Sequence, residues 1–409
     1  MTSIPASSPA RLHPTEFIAL IAMMFATIAF SIDAMLPALP QIAAELSPNA
    51  VNRAQLIITS FVLGMGMGTL LAGPLSDSFG RKPVILGGAA LYCVGTLIAY
   101  LAPTLETVLL ARVIQGLGVA GPRIVSLALV RDLHKGREMA RVVSFAMMVF
   151  TLVPAVAPLL GSVIIDAFGW RSIFLAFLIF FAVIMTWFSL RQPETLPPQL
   201  RRPMAVATLK HSFLEVLSHR AIRYSIAVQT LCFASLFGTL SATQPIFDVT
   251  FDRADSFPFW FAVIAVVAGS ASLVNATFVV RLGMRRLVSA TLAAQIVISG
   301  LMALTVWAGV WPEALYFPAY LFWTIGVFFM AGMTLGNLNA LALEPVGHIA
   351  GMAASVTGAI ATVASVLLAV PMGLAFDGTP VPMMLGVAIF SGLAFLLMRG
   401  LGPNPTAKP

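Results

Sequence analysis

Charge is scarce in this sequence. Asp, Glu, Lys and Arg make up 10% of its 409 residues, against about 25% in a typical soluble domain. So few charges cannot cover a water-facing surface, although they suffice for a lipid-facing one. Cysteine is almost absent. Cys93 and Cys232 both fall inside apolar stretches, so a disulfide framework is excluded and both read as small packing residues. The five histidines, at 13, 134, 211, 219 and 348, lie in polar segments or at their edges, none at ligand spacing from Cys or acids. This excludes a metal site and a histidine proton relay within the apolar stretches. Acids are few, and only Asp33 sits well inside an apolar stretch; Asp77, Glu106, Asp166 and Glu344 lie at or near stretch ends. A lipid-modifying enzyme would need a buried nucleophile–base pair or an acid cluster, so an enzyme is not expected.

What the chain has instead is hydrophobicity, at 59% of residues and a mean hydropathy of +0.96. Twelve apolar stretches can be read, at about 15–36, 54–74, 83–101, 106–128, 140–165, 171–189, 221–246, 256–280, 286–307, 314–340, 352–374 and 381–399. Each is near the roughly 20 residues that a membrane-spanning helix needs. They run continuously apolar, whereas barrel strands would alternate. The fold class expected is therefore all-α integral membrane, with twelve transmembrane helices. The first stretch is too long for a signal-peptide core, and Asp33-Ala34-Met35-Leu36-Pro37 lacks a small-residue cleavage pattern, so it reads as helix 1.

Basic residues orient the chain. With both termini placed on one side, eighteen of the 23 Lys and Arg fall on that side, and Arg53, Arg171 and Arg253 on the other; Arg112 and Arg123 fall within the membrane. This bias predicts cytoplasmic termini. It also accounts for the net charge of +7 without a nucleic-acid partner. The longest polar stretch, with Pro193, Pro197, Pro198 and Pro203 among basic residues, reads as a linker. It divides the chain into a six-helix bundle (1–190), a cytoplasmic linker (191–219) and a second six-helix bundle (220–409). A short surface helix is expected near Leu209–Leu217. A weak internal repeat relates the halves: Phe79-Gly80-Arg81-Lys82-Pro83-Val84 and Leu282-Gly283-Met284-Arg285-Arg286-Leu287 both place Gly and paired cations in a tight turn. Two related bundles with a site between them is a known transporter plan.

Charges inside lipid are the first functional suspects. Asp33 lies just before Leu36-Pro37-Ala38-Leu39-Pro40. A carboxyl in a partly dry cavity can bind and release protons; the other reading is a polar cap where the helix bends near Pro37. Arg112 in the fourth stretch is expected at similar depth, where pairing with Asp33 would lower the cost of both charges. Arg123 lies eleven residues on, nearly on the same helix face, and Gln115 about 60° away. Arg123 either faces a cavity or snorkels to the cytoplasmic surface. Gly116-Leu117-Gly118-Val119-Ala120-Gly121 matches a dinucleotide fingerprint in letters, but no strand precedes it, so it reads as close helix packing, as do Gly64, Gly66 and Gly68. The second half carries uncharged polar residues, including Gln229, Ser235, Thr239, Gln244, Asn275, Asn337 and Asn339, among Phe, Trp and Met. Such walls suit uncharged amphiphilic ligands. Gln115, Arg123, Gln229 and Asn337 are the expected cavity residues.

These residues carry a family resemblance covering essentially the whole chain. Gly73-Pro74-Leu75-Ser76-Asp77-Ser78-Phe79-Gly80-Arg81-Lys82 resembles the signature loop Gly-x-Leu-x-Asp-x-x-Gly-Arg-Lys of the major facilitator superfamily. Arg112-x-x-Gln115-Gly116-x-Gly118-x-Ala120 is similar to the helix-4 motif of its proton antiporters. Asp33-x-x-Leu36-Pro37-x-Leu39-Pro40 is similar to the helix-1 motif of its twelve-span drug:proton antiporters, most like the bicyclomycin/chloramphenicol-resistance (Bcr/CflA) branch. The exporters' helix-5 motif Gly-Pro-x-x-Gly-Gly stands here as Ala157-Pro158-Leu159-Leu160-Gly161-Ser162, with two glycines replaced by small residues; Pro158 and Gly161 keep the packing.

The resemblance implies the major facilitator fold, two pseudo-symmetric bundles and a multidrug exporter. Asp33 and Arg112 would couple proton and substrate binding. Gly73, Asp77, Gly80, Arg81 and Lys82 would form a conformational latch on the cytoplasmic side. The expected function is export of small amphiphilic, antibiotic-like molecules in exchange for protons by alternating access. The alternative is proton-coupled transport of a metabolite such as a sugar or organic acid. No cofactor is expected beyond the proton gradient; the partners are substrate, protons and the lipid bilayer, and the chain is expected to be a monomer.

Overall fold

Twelve helices long and apolar enough to cross a membrane follow one another in the structure, a computed structural model that describes residues 12–201 and 213–400. They are α1 (Pro14–Leu46), α2 (Val51–Phe79), α3 (Arg81–Leu101), α4 (Leu105–Leu133), α5 (Gly136–Phe168), α6 (Ser172–Arg191), α7 (Arg220–Thr250), α8 (Phe257–Leu282), α9 (Met284–Trp307), α10 (Glu313–Val346), α11 (Ala350–Leu374) and α12 (Val381–Gly400). No strand occurs among the described residues. Each expected stretch falls on one helix. Several helices outrun the apolar run that reveals them: α5 extends past 140–165 at both ends, because helical hydrogen bonding continues where hydropathy has already fallen. Arg11, Arg202, Lys210 and Lys408, counted above toward the basic side, lie outside the described residues, as do His211 and positions 209–212 of the expected surface helix; residues 213–218 are helical.

Interruptions follow proline and small residues. α1 is helical to Asp33, turns tightly through Leu36–Ala38 and resumes at Leu39–Leu46. Pro37 and Pro40 supply no N–H to earlier carbonyls, which breaks the ladder at this point. α8 breaks at Gly269 and Ser270, a common small-residue kink.

Helices of each half pack mainly on their own half: α4 against α2 and α3, α1 against α5 and α6, α7 against α10, α11 and α12, and α9 against α12 and α10. The halves meet along two seams, α2 with α11 and α5 with α8. At the end that carries Asp33, the α1 break and its continuation also pack on α7, and Asn52 Nδ2 donates to the carbonyls of Phe376 (2.7 Å) and Leu374 (3.3 Å) at the end of α11. At the end that carries Asp77, Leu70 of α2 packs in an apolar cluster with Ile226 of α7 and Val356 of α11.

The repeat seen in two loops extends into the bundles. Gly80 and Gly283 each precede the next helix with positive φ, +106° and +79°, a conformation that glycine adopts without strain. Beyond them, Thr96 stands fifteen residues after Arg81 and Ser299 fifteen after Met284; Gln115 and Trp323 each stand ten residues into α4 and α10. Gln115 Nε2 donates to Thr96 Oγ1 (2.8 Å), and Trp323 Nε1 donates to Ser299 Oγ (2.9 Å). The same inter-helix bond thus recurs at the same positions in both halves, as two-fold pseudo-symmetry requires.

Candidate functional site

The helix break in α1 creates the site's central problem in hydrogen bonding. The last carbonyls of a helix lack intrahelical donors. Ala34 N–H still reaches Phe30 O. Ser31 O is taken by Arg112 Nη2 at 2.9 Å, so a cation from α4 sits at the negative end of the broken helix, its favoured position. Arg112 Nε donates to Ile57 O of α2 (3.2 Å), Nη1 donates to Gln115 Oε1 (2.5 Å), and the guanidinium lies over Phe61, 4.3 Å from the ring centroid. Gln115 passes the chain on to Thr96, whose hydroxyl donates to Tyr92 O (2.7 Å). Tyr92 OH meets Ser31 Oγ at 2.5 Å, which closes a ring of bonds through α1, α3 and α4. Arg112, Gln115, Ser31 and Thr96 are all fully buried.

Glycine makes this approach possible. A Cβ on Gly116 would stand 2.7 Å from Met65 N and closer still to Phe61 O; one on Gly64 would collide with the Val113 carbonyl. α2 and α4 therefore touch backbone to backbone, as small residues allow in membranes. Gly161 of α5 does the same for α1: a Cβ there would lie 3.0 Å from Ala34 Cα and nearer its carbonyl oxygen, and Pro158 is buried one turn before it. The α1 break is thus wedged between α5 on one side and Arg112 on the other.

Asp33 sits on this break at 5% exposure. The expected pairing with Arg112 is not made. The two share depth, since Arg112 holds Ser31, but every hydrogen bond of the guanidinium among the described residues goes to carbonyls and Gln115. The Asp33 carboxylate, though buried, forms no hydrogen bond or ion pair among the described residues. The reason is geometric: Arg112 approaches the helix terminus itself, not the side chain two residues later.

Other expected site residues separate into distinct roles. Gln115, expected to line the cavity, has both ends of its amide committed inside the α3–α4 interface. Asn337, also expected there, donates through Nδ2 to Asn275 Oδ1 of α8 (2.6 Å) and Met333 O (2.8 Å), and so braces α10 against α8. Gln229 is 3% exposed and its Nε2 has no partner among the described residues. Arg123 does not snorkel to the membrane surface: its Nη1 meets Met65 Sδ at 3.4 Å, midway along α2. The Arg112 position in α4 corresponds, by count from the helix start, to Tyr320 in α10, a buried phenol whose OH is likewise unpartnered among the described residues.

The expected latch is a knot within the first half and its linker. Arg81 Nη1 donates to Asp77 Oδ1 (2.5 Å) and Ser76 Oγ (2.8 Å), and its Nε to Asp132 Oδ2 of α4 (3.1 Å). Lys82 Nζ donates to Ser189 O of α6 (2.7 Å). No hydrogen bond or ion pair of Asp77, Arg81 or Lys82 crosses to the second half among the described residues. Gly73 is the member nearest it: a Cβ there would lie 3.5 Å from Ser355 Oγ of α11.

Glu194, just past α6, completes the knot and had no role in the sequence reading. Its Oε1 accepts the backbone N–H groups of Arg81 (3.0 Å), Thr195 (2.9 Å) and Leu196 (2.9 Å), and its Oε2 that of Lys82 (3.0 Å). It caps α3 from outside, where Gly80 has no side chain to do so, and places a negative charge at the favourable helix end. An acid after Pro193 in a basic linker is a weak signal; its target is 112 residues away in sequence. Tyr92 and Thr96 were more legible, as polar residues four apart on an apolar helix.

A fold with two pseudo-symmetric six-helix halves, a knotted loop between α2 and α3, and a buried cation and acid at a broken first helix matches known proteins. The family model described as Major Facilitator Superfamily matches residues 19–370. The chain belongs to the major facilitator superfamily. Among curated relatives, it is 31% identical over 344 residues to a bicyclomycin resistance protein homolog of Haemophilus influenzae, covering 81% of this chain and 82% of that one. It is 29% identical over 391 residues to YdgK, an uncharacterized MFS-type transporter of Bacillus subtilis, covering 91% and 93%. A solved D-xylose-proton symporter superposes with a TM-score of 0.77, covering 96% of this chain and 99% of that one at 16% identity, a likeness of fold. The protein is accordingly a multi-pass membrane protein of a transporter family that binds small molecules within the membrane.

Proposed function

We propose that this protein exports small amphiphilic, drug-like molecules in exchange for protons. Asp33 carries the reading. A buried carboxyl with no cationic partner is a group whose charge a proton alone can cancel. It sits on the break of α1, where that helix packs on both α5 and α7, so its charge state bears on the joint between the halves. The names of the relatives, resistance proteins among them, support drug-like cargo.

The coupling differs from a simple Asp–Arg exchange. Arg112 holds the carbonyl end of the first α1 segment, and Asp33 loads the same segment with charge or neutralises it. Protonation removes a repulsive charge from the negative end of a helix whose other carbonyl is already clamped. The α1 break then settles against α7 in one protonation state and is driven from it in the other, which biases the rocking of the two halves. Arg112 serves as the fixed side of this joint. Substrate, on this reading, occupies the space between the halves, with the uncharged polar and aromatic wall of α7 and α10 opposite.

The proposal places the chain in the bacterial inner membrane as a monomer, both termini cytoplasmic, without cofactor, as two bundles (1–190 and 220–409) joined by the linker 191–219. The Asp77 end then faces the cytoplasm. The test is proton release from acid-loaded inside-out vesicles on addition of amphiphilic antibiotics, amines or sugars. Antibiotics are expected to trigger release with the wild type and not with Asp33→Asn inserted at equal level. Full proton-coupled transport by Asp33→Asn refutes the proposal, and a response to sugars alone replaces drugs by a metabolite.

A further inference from the structure

Arg123 is a cation in the middle of the membrane span with almost nothing to bind. A guanidinium carries five N–H donors. Arg123 meets one thioether, Met65 Sδ, a weak acceptor, and has no ion pair among the described residues. Arg112, by contrast, commits all three of its nitrogens to two carbonyls and an amide oxygen and is fully buried.

The direction of Arg123 excludes lipid and the membrane surface as its destination. At about 100° per residue, Arg123 stands about 140° around α4 from Leu110, which is 62% exposed on the outer face. Its neighbours on the inner face, Val119 and Ser126, are fully buried, while Arg123 itself keeps partial exposure. Met65 lies fourteen residues inside the Phe79 end of α2, about 21 Å along the axis at 1.5 Å per residue. The head therefore points inward, toward the level where the halves meet. Gly66, next to Met65, is where α2 touches Thr362 and Val363 of α11.

A second donor waits at this level. Gln229 stands about one turn beyond Ile226, which shares an apolar cluster with Leu70, itself about one and a half turns below Met65. Gln229 Nε2 is buried without a partner among the described residues. One half thus presents a cation, the other an unspent amide donor, and the surrounding helices supply apolar wall. The acceptor that both lack is what a ligand would bring.

We propose that Arg123, with Gln229 at similar depth in the other half, forms an anion-binding subsite of the transport site, so that the favoured substrates carry an acidic group on an apolar body. This rests on the transport reading above, but not on its proton coupling. The acidic group takes bidentate bonds from Arg123, and Gln229 adds a donor from the second half, so that an anion draws the halves together.

The experiment measures equilibrium binding to the purified full-length protein in detergent, with no proton gradient. Two dyes with one xanthene ring serve as probes, fluorescein as anion and rhodamine 6G as cation. With the wild type, fluorescein binds, 2-naphthoate displaces it and 2-naphthalenemethanol does not. In Arg123→Gln the ratio of fluorescein to rhodamine affinity falls at least tenfold, and Arg123→Lys recovers part of it. Equal displacement by the alcohol, an unchanged ratio in Arg123→Gln, or no fluorescein binding by the wild type overturns the proposal. The competition needs no variant, so a misfolded Arg123→Gln leaves the test standing. A failure of Asp33→Asn to abolish proton coupling would sink the exchange mechanism while leaving this binding result intact.

Discussion

Gly116→Ala tests whether backbone contact between α2 and α4 is what holds Arg112 in place. The added Cβ would stand 2.7 Å from Met65 N. Phe61 O would lie closer still; ordinary contact needs about 3.4 Å, so the helices must part by at least about 0.7 Å. Arg112 lies one turn before Gly116, and Ile57 one turn before Phe61, on the same contact line. The bond from Arg112 Nε to Ile57 O, 3.2 Å in the native chain, would stretch to at least about 3.9 Å, beyond hydrogen-bonding range. Overpacking costs about 1–3 kcal/mol and loss of a hydrogen bond to a charged group about 1.5–3, while alanine returns about 1 in helix propensity. The net expectation is a destabilisation of about 1.5–5 kcal/mol. Gly87→Ala is the control, because nothing lies within 4 Å of a Cβ there. Thermal unfolding in detergent can be followed with a thiol-reactive fluorophore, since Cys232 is buried and becomes reactive on unfolding. Gly116→Ala should melt well below wild type, and Gly87→Ala at or slightly above it. Coincident curves for the two variants would show that the α2–α4 approach does not constrain Arg112.

Other outcomes follow from the geometry. Glu194→Ala removes the acceptor of four backbone N–H groups and a charge at the start of α3, and should lower stability by about 1–3 kcal/mol, with Glu194→Gln losing less; thermal unfolding of both variants checks it, and equal losses would deny the charge a part. Asn275 and Asn337 should show a coupling of about 0.6–1.7 kcal/mol in a double-mutant cycle of unfolding, and additive single effects would break the α8–α10 brace. Asp33→Asn and Arg123→Gln carry the two functional tests given above.

Much of the fold is legible because lipid is a demanding solvent. A chain in hydrocarbon must satisfy its backbone internally, so each span is a helix whatever its neighbours do. The number of helices, their order and the repeated Gly-plus-cation turns follow from that rule. Asp33 and Arg112 were visible for the same reason, as charges where charge is costly. The partners of those charges were not visible. Arg112 prefers the carbonyl end of a broken helix to the nearest acid, and no pattern in sequence reports which carbonyls a break leaves open. Gln115 and Asn337 read as cavity residues because polarity in a span suggests a ligand; the structure spends both on neighbouring helices. Arg123 had two readings of equal standing; its head lies against Met65, midway along α2 and away from the membrane surface.

By itself, then, the sequence determined an all-helical membrane protein with twelve spans, two related halves and one buried acid, because composition and periodicity are local properties fixed by the surrounding solvent. Tertiary structure alone decided that Asp33 stands without a partner, that Arg112 clamps the α1 break, that Glu194 caps α3 from the linker, and that Arg123 remains unspent at the seam. Each of those facts depends on which groups approach closely enough for a hydrogen bond, and at the α2–α4 contact that distance is set by glycines on both helices.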